Sequence, residues 1–235
     1  MDNSIDFKVW GRNALFTDPI TKIGGEKCSY HVPTYEALKG IARSIYWKPT
    51  FIWVIDKVRI MKRIRTEAKG MKPLNYVEGG NSLALYNYLS NVEYQIRAHF
   101  EWNEHIPELV KDRSDGKHYS IAKRMLERGG RRDVFLGTRE CQGYAEPCRF
   151  GEGTGEFDGD GKLVFGLMFH SFLYPEESGI NELHSRFWKY EMVNGIIEFP
   201  RPEKCEVSKL VRKMSPEKFV PGVNFSGYEE EGLLA

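Results

Sequence analysis

The sequence predicts an α+β protein in which strands outnumber helices. Residues 92–102 alternate strictly between apolar and polar side chains, which is the pattern of a half-buried strand. Two other segments carry apolar residues at helical spacing, which is the pattern of an amphipathic helix. Asn194-Gly195 lies between two apolar runs and predicts a tight hairpin. At 235 residues the chain is long enough for one large domain or two small ones.

The first predicted elements are a strand and a helix. Residues 7–10 are predicted as a strand, and residues 17–29 contain proline and glycine and are predicted as a loop. Thr34 is a natural N-cap for the helix that follows. Pro49 disfavours helical geometry in the residue before it, so the helix should end earlier, with Tyr46 in its last turn. On local pattern alone, Tyr46 is a half-buried aromatic residue that closes the core.

Residues 51–65 are predicted as one long strand. Its apolar side chains fall on one face, and cations fall on the other face at every second position. These cations are Lys57, Arg59, Arg63 and Arg65. Their spacing suits the phosphates of a nucleic acid, and a merely solvated sheet face is the alternative interpretation.

A second helix is predicted within residues 114–130. Ser114 or Asp115 can cap its start, and Gly129-Gly130 can end it. Its polar face and the residues after it are basic, and the cations are Lys117, Lys123, Arg124, Arg128, Arg131 and Arg132. A chain of net charge +1 therefore contains a local positive patch. A solvated helix face is again the alternative interpretation.

Strands on either side of this helix complete the first half of the chain. Residues 83–86 begin a strand or a short helix, residues 92–102 form the clearest strand, and residues 134–141 form another. The order is strand, helix, strand, strand or loop, strand, helix, strand. It approximates the ferredoxin-like fold, which is also the plan of the RNA-recognition motif. We therefore predict a ferredoxin-like, RNA-recognition-motif-like domain over residues 1–147.

The composition changes after residue 147. Residues 151–161 are rich in glycine and acidic residues, lack the Gly-Lys-Ser/Thr ending of a phosphate loop, and are predicted as a flexible hairpin turn or linker. Residues 163–174 and 187–199 are predicted strands. The sequence thus predicts a smaller β-rich domain over residues 148–235, with a mobile acidic tail at Glu229-Glu230-Glu231.

The composition is that of an ordinary globular protein, with 41% hydrophobic and 29% charged residues. The cysteines include no Cys-x-x-Cys pair, so we expect neither a zinc site nor a disulfide framework. A reducing cytoplasm is then the expected compartment. The N-terminus shows no signal-peptide pattern, and the longest apolar run is too short to span a membrane.

Lys117-His118-Tyr119 opens the second helix with a cation, an imidazole and a phenol. These are groups that acid–base cleavage of a phosphodiester needs. A solvated helix start is the alternative interpretation, and local pattern alone favours it.

Several motifs resemble one family. The segment Tyr30-x-Val32-Pro33-Thr34-x-x-Ala37-Leu38-x-Gly40-Ile41 resembles the first helix of CRISPR-associated RAMP proteins. Further motifs resemble the type I-C (Dvulg) version of the fifth CRISPR-associated protein family, namely Lys117-His118-Tyr119, residues 131–137, Cys141-Gln142-Gly143-Tyr144, residues 150–153 and residues 166–169. Together they cover essentially the whole chain.

The resemblance implies an endoribonuclease that cuts CRISPR precursor RNA within each repeat, at the 3′ base of the hairpin. Its product would stay bound, and its partners would be the repeat RNA with its 3′ flank and other subunits of the type I-C interference complex. DNA binding stays open. The family's catalytic tyrosine and Lys-His pair fall on Tyr46, Lys117 and His118. The resemblance therefore favours the catalytic interpretation of the triplet, with RNA on the cationic strand face and helix face.

RNA carries its own nucleophile, the 2′-hydroxyl, so the enzyme need only align it, move protons and stabilise the phosphorane. His118 is the natural proton-transfer group, and Lys117 suits the phosphorane charge. Tyr46 can orient the 2′-hydroxyl or act as base, and the assignment of base and acid between Tyr46 and His118 stays open. No cluster of carboxylates suggests a two-metal site, so we expect no metal or other cofactor. The alternative function is a non-catalytic subunit that binds the 5′ handle of a guide RNA.

Overall fold

The computed structural model describes residues 3–22, 25–75, 77 and 79–229. Within these ranges one antiparallel sheet contains strands β1 Ser4–Ala14, β2 Phe51–Ile60, β3 Thr66–Met71, β4 Ala84–Trp102, β5 Val134–Phe135, β6 Gln142–Pro147, β7 Lys162–Leu173, β8 Glu182–Val193, β9 Ile196–Glu198 and β10 Val207–Lys213. The helices are α1 Pro19–Lys22, α2 Tyr35–Ile45, α3 Asp115–Glu127 and α4 Pro175–Ser178, with 3-10 helices at Pro107–Asp112 and Pro202–Lys204. None of these described helices is long and apolar enough to cross a membrane.

The sheet and two helices share one core. The strand order is β10-β8-β9-β2-β4-β1-β6-β5, with β3 beside β4 and β7 beside β8. α2 packs against β2, and α3 packs against β6 and β1. Buried side chains of both helices and of the central strands belong to one apolar cluster. The prediction of mixed helix and strand is therefore confirmed, and antiparallel sheet dominates.

α2 forms as its local sequence predicts. The Thr34 hydroxyl accepts a hydrogen bond from the Ala37 main-chain N–H at 3.2 Å, which satisfies one of the donors that a helix start leaves open. The helix ends at Ile45, so Tyr46 lies directly after the last turn and not within it as expected. Tyr46 is the capping residue, with extended geometry, and its N–H still donates to the Ala42 carbonyl. The change of backbone geometry at Tyr46 directs its side chain into the core, where it is fully buried.

β2 is shorter than the strand predicted over residues 51–65. It ends at Ile60, so Arg63 and Arg65 lie beyond it, and the prediction of four cations on one strand is wrong. The physical reason is that β4 and β9 pair with β2 no further than Ile60. A bulge between Ile55 and Lys57 also interrupts the regular register with β4.

β4 is a single strand that includes residues 84–86 as well as the alternating segment 92–102. Asn91 has a positive φ of 53°, which only a few residue types adopt readily. β3 pairs with the part of β4 before Asn91, whereas β2 pairs with the part after it. The alternation over residues 92–102 is therefore confirmed as a strand.

The prediction of a strand over residues 134–141 is wrong beyond Phe135, because β5 ends at that residue. The chain turns at Gly137, whose φ is 99° and where a Cβ atom would lie 2.0 Å from the Leu15 carbonyl oxygen. Only glycine adopts such a backbone next to so close a neighbour. After the turn, β6 pairs with both β5 and β1, and the sequence pattern does not predict this strand.

The last strands extend the same sheet. Asn194 and Gly195 have φ values of 49° and 79° and join β8 to β9, which confirms the predicted hairpin. β9 pairs with β2, so the C-terminal strands are continuous with the central ones. The division into domains at residues 147 and 148 stays a prediction. Of the predicted acidic tail, Glu230 and Glu231 lie outside the described residues.

Candidate active site beneath the C-terminal strap

Two of the predicted catalytic side chains are in contact. Tyr46 follows α2 and His118 lies in the first turn of α3, 72 residues later. The Tyr46 hydroxyl lies 2.9 Å from Nδ1 of His118. Both side chains are 0% exposed. The packing of α2 and α3 on the sheet thus produces a buried phenol–imidazole pair.

The other ring nitrogen of His118 faces Asp112. Nε2 lies 2.6 Å from the main-chain oxygen of Asp112 and 3.4 Å from its carboxylate Oδ2. The carboxylate accepts a hydrogen bond from the Thr50 hydroxyl at 2.5 Å and another from the Tyr228 main-chain N–H at 2.7 Å. Burial acts to raise the pKa of the Asp112 carboxyl, but hydrogen bonds from His118, Thr50 and Tyr228 lower it below its ordinary value. The carboxylate is therefore ionised at neutral pH.

Aromatic rings enclose the imidazole. Four ring centroids lie within 6.4 Å of the His118 centroid: Phe51 at 5.3 Å, Phe100 at 6.4 Å, Trp102 at 5.7 Å and Tyr228 at 5.6 Å. Trp102 and Tyr228 are partly exposed, whereas Phe51 and Phe100 are buried. The route from solvent to His118 therefore passes these two outer rings.

Residues 214–229, here named the C-terminal strap, lie over this site. The Lys48 ammonium donates a hydrogen bond to the Ser226 carbonyl at 2.5 Å, and the Trp47 ring meets Phe219 edge-on at 6.1 Å. Phe225 is buried with Ile106 and Leu109 in a small cluster separate from the main core. These contacts hold Tyr228 against His118.

Lys117 is not part of the buried pair. It lies on the exposed side of α3, although its neighbour His118 is fully buried. Successive residues of a helix point about 100° apart, so neighbours seldom share a face. The structure brings Tyr46 and His118 together and leaves Lys117 at the surface, where its catalytic role stays a prediction.

The predicted basic helix face is exposed and lies beside the site. Lys123, Arg124, Arg128, Arg131 and Arg132 are all exposed. After α3 the main-chain N–H groups of Arg131 and Arg132 donate to the carbonyls of Ile45 and Ser44, at the end of α2. This connection places the end of the basic run next to Tyr46.

Two cations of the predicted strand face have partners within the protein. Arg59 is 5% exposed and donates to the main-chain oxygens of Glu152 and Gly153 and to the Asp158 carboxylate. Arg63 pairs with Asp160. Residues 151–161, predicted as a flexible turn or linker, thus fold onto the sheet around these guanidinium groups. Lys57 is half-buried beneath the Phe150 ring, and Arg65 is exposed.

Sequence reasoning does not identify Asp112, Thr50 or Tyr228 as site residues. Asp112 precedes His118 by 6 positions and carries no periodic or motif signal. Tyr228 is 116 residues from Asp112, and only the folded chain brings them together. One signal was available for Asp112, because an acidic residue close before a candidate catalytic histidine can orient its ring.

The fold and site define an α+β protein of mainly antiparallel sheet, with a buried phenol–imidazole pair beside an exposed basic helix. The Cas5d family, described as CRISPR-associated protein (Cas_Cas5), matches residues 4–200. The chain therefore belongs to the Cas5d family of CRISPR-associated proteins, which confirms the family resemblance found in the sequence.

Relatives of known name and structure agree with this assignment. The chain is 28% identical over 230 residues to a protein of Mannheimia succiniciproducens named CRISPR pre-crRNA endoribonuclease Cas5d, covering 85% of this chain and 96% of the relative. A protein of the same name from Thermus thermophilus is 29% identical over 187 residues, covering 75% of this chain and 76% of the relative.

Two solved structures share the fold. One is titled as the crystal structure of a CRISPR-associated protein and has a TM-score of 0.74 and 37% identity, covering 88% of this chain and 96% of that one. The other is a functionally uncharacterized protein, SMU1763c from Streptococcus mutans, with a TM-score of 0.72, 39% identity and the same coverage.

Proposed function

We propose that this protein is an endoribonuclease that cleaves CRISPR precursor RNA within the repeat, at the 3′ base of the hairpin. The observation that carries the proposal is the hydrogen-bonded Tyr46–His118 pair beside the basic run that ends at Arg132. Two relatives are named as pre-crRNA endoribonucleases, which supports the reaction class. A ferredoxin-like plan for the first half of the chain fits this function, because such sheets commonly present RNA-binding surfaces.

The proposed reaction uses the nucleophile of the RNA. The 2′-oxygen bonds to phosphorus while the bond to the 5′ oxygen breaks, which leaves a 2′,3′-cyclic phosphate and a 5′-hydroxyl. The protein must accept the 2′ proton, hold the phosphorane charge and allow protonation of the 5′ oxygen. Tyr46 and His118 serve proton transfer, and Lys117 serves the negative charge. Because the RNA supplies the attacking oxygen, we propose that the reaction is independent of metal ions.

Access to the pair requires movement of the strap. Tyr46 and His118 are both 0% exposed, so a phosphodiester cannot touch them in the closed structure. The outer wall of the site is formed by Tyr228 and Trp102, and Tyr228 is carried by a segment that makes few buried contacts. We propose that RNA binds with the strap displaced and that Tyr228 leaves the imidazole when it does.

The proposed RNA track follows the cations of α3 and its C-terminal extension: Lys123, Arg124, Arg128, Arg131 and Arg132. A-form RNA is recognised mainly through phosphates and shape, and phosphate contacts make binding depend steeply on salt. Lys57 and Arg65 are candidates for the flank of the RNA. Replacing Lys123 and Arg124 by alanine should flatten the salt slope of binding by about one to two units, at about 0.7–0.9 per phosphate contact.

Cleavage in EDTA tests the proposal. Repeat RNA incubated with the purified protein should be cut at the 3′ base of the hairpin, and the 5′ fragment should carry a cyclic phosphate. A substrate with 2′-deoxyribose at the cut position lacks the nucleophile and should stay intact while still binding.

The second candidate function is a guide-RNA-binding subunit without catalysis. The complete burial of Tyr46 and His118 favours it, because buried side chains often have only a packing role. RNA that is bound tightly and left uncut would establish this function instead. In either case we propose that the protein keeps its RNA and acts as a subunit of the type I-C interference complex.

A further inference from the structure

The hydrogen bonds around His118 define where its proton lies. Nε2 is 2.6 Å from the main-chain oxygen of Asp112, and a carbonyl oxygen can only accept. Nε2 must therefore carry a hydrogen. In a neutral imidazole the other nitrogen, Nδ1, then holds the lone pair, so the Tyr46 hydroxyl is the donor of the 2.9 Å hydrogen bond.

We infer that Asp112 is a positioning residue, which holds His118 as the proton acceptor for Tyr46 and stabilises the imidazolium that results. This inference rests on the proposed cleavage reaction and deepens it by assigning the base. Tyr46 takes the proton of the 2′-hydroxyl while its own proton passes to Nδ1 of His118. The 2′-oxygen bonds to phosphorus, the bond to the 5′ oxygen breaks, and that oxygen takes a proton from water. The imidazolium then returns its proton to the hydroxide left behind.

Three features fit the carboxylate for this task. The Thr50 hydroxyl holds Oδ2, the oxygen that faces Nε2, and this hydrogen bond does not involve the strap; in the closed structure the Tyr228 main chain also holds Oδ1. Those bonds and the His118 contact outweigh burial and lower its pKa, so it is negative at neutral pH. Oδ2 faces Nε2 at 3.4 Å, and the buried Phe51 and Phe100 rings stay beside the imidazole when the strap is displaced, so opposite charges attract more strongly there than in water.

A purely structural role for Asp112 makes different predictions. The carboxylate also joins the strap to the 3-10 helix Pro107–Asp112, so it contributes to folding in either case. A structural defect would weaken RNA binding and cleavage together. A positioning residue acts only after RNA is bound, so its loss should lower the single-turnover rate and leave the dissociation constant unchanged.

The test compares Asp112→Asn with a matched control, Asp115→Asn. Asp115 begins α3, the helix that carries His118, and its side chain has no described contact with His118. Asp112→Asn should slow single-turnover cleavage by about 10- to 100-fold and leave the affinity for RNA unchanged. This factor corresponds to the free energy that a hydrogen bond to a charged group contributes. Asp115→Asn should cleave at the wild-type rate. Wild-type cleavage by Asp112→Asn, or an equal loss of affinity and rate, would overturn the inference.

A second measurement needs no RNA and separates this inference from the proposed function. Nitrogen-15 NMR of the unliganded protein at mildly alkaline pH should show His118 protonated at Nε2 and not at Nδ1. Protonation at Nδ1 would refute the assignment even if the protein cleaves RNA, and an inactive protein with the expected tautomer would refute only the proposed reaction. If Asp112→Asn does not fold, Thr50→Val releases the carboxylate and should slow cleavage in the same direction, with wild-type cleavage counting against the inference.

Discussion

Phe225→Ala should open the C-terminal strap and accelerate RNA cleavage. Phe225 is 8% exposed and packs with Ile106 and Leu109 in a cluster of three buried residues, away from the main core. Replacing a buried phenylalanine by alanine costs about 3–5 kcal/mol, and so small a cluster belongs at the lower end. Since each 1.4 kcal/mol is a factor of ten, about 3 kcal/mol raises the population of the open strap by about 100-fold.

Two assays measure this opening independently. The Tyr228 amide donates to Asp112 and is protected in the closed form, so its hydrogen exchange should speed up by about the same 100-fold. Because only the open form binds RNA, single-turnover cleavage at subsaturating RNA should rise by up to that factor, until most of the free protein is open. Val223→Ala is the matched control, because Val223 is 81% exposed on the same strap and loses no buried contact.

The reasoning fails if the Tyr228 amide exchanges faster in Phe225→Ala but cleavage does not exceed that of Val223→Ala. A fall in cleavage would mean that the closed strap is part of the competent site rather than its cover. Phe225→Leu retains most of the apolar surface and should lie between the wild type and Phe225→Ala in both assays.

Three further predictions concern single residues. His118→Ala should lower the single-turnover rate by about 100-fold or more while the dissociation constant for RNA hardly changes, as measured by cleavage and anisotropy. Arg59→Met removes the cation paired with Asp158 and the donor to the Gly153 carbonyl, so the free energy of unfolding in urea should fall by about 3 kcal/mol with no change in the salt slope of RNA binding. The hydrogen bond to Asp56 raises the pKa of His99 above its ordinary value of 6.5, so its stabilisation is complete below that pH and is lost as pH rises through the raised pKa. The difference in unfolding free energy between the wild type and His99→Gln should shrink correspondingly, and a pH-independent difference would contradict this.

Local rules predict those elements of this fold that short stretches of sequence determine. The Thr34 cap, the alternation along β4 and the Asn194-Gly195 turn each depend on a few neighbouring residues, and each is confirmed. β6 shows why local rules do not predict other elements. Its buried positions are Gly143 and Ala145, which give no apolar alternation, and it is a strand because β1 and β5 pair with it.

The site divides in the same way. The local sequence predicts Arg59 as a surface cation. Its partner Asp158 is 99 residues away, and local sequence rules do not predict a contact between residues so far apart. Tyr46 and His118 are separated by 72 residues, and family motifs, not local pattern, identify both. Their burial under the strap depends on where the last residues of the chain pack, which periodicity does not describe.

The net charge of this chain is close to zero, but its cations fall into two groups, those that form ion pairs and those that do not. Three arginines of the sheet and its adjoining loops are paired with carboxylates, as Arg59–Asp158, Arg97–Asp6 and Arg201–Glu101. In the part of the chain that the structure describes, Lys123, Arg124 and Arg128 of the α3 region form no ion pair.

A polyanion that bound these arginines would have to break existing pairs before it gained contacts, and at Arg59 it would release the loop that this side chain anchors. Within the described residues, a polyanion on Lys123, Arg124 and Arg128 breaks no ion pair and gains the full release of its counterions. Two segments that are both basic in the sequence therefore differ in the free energy of binding a polyanion. The main-chain hydrogen bonds of Arg131 and Arg132 to the end of α2 direct the favoured track to the covered Tyr46–His118 pair.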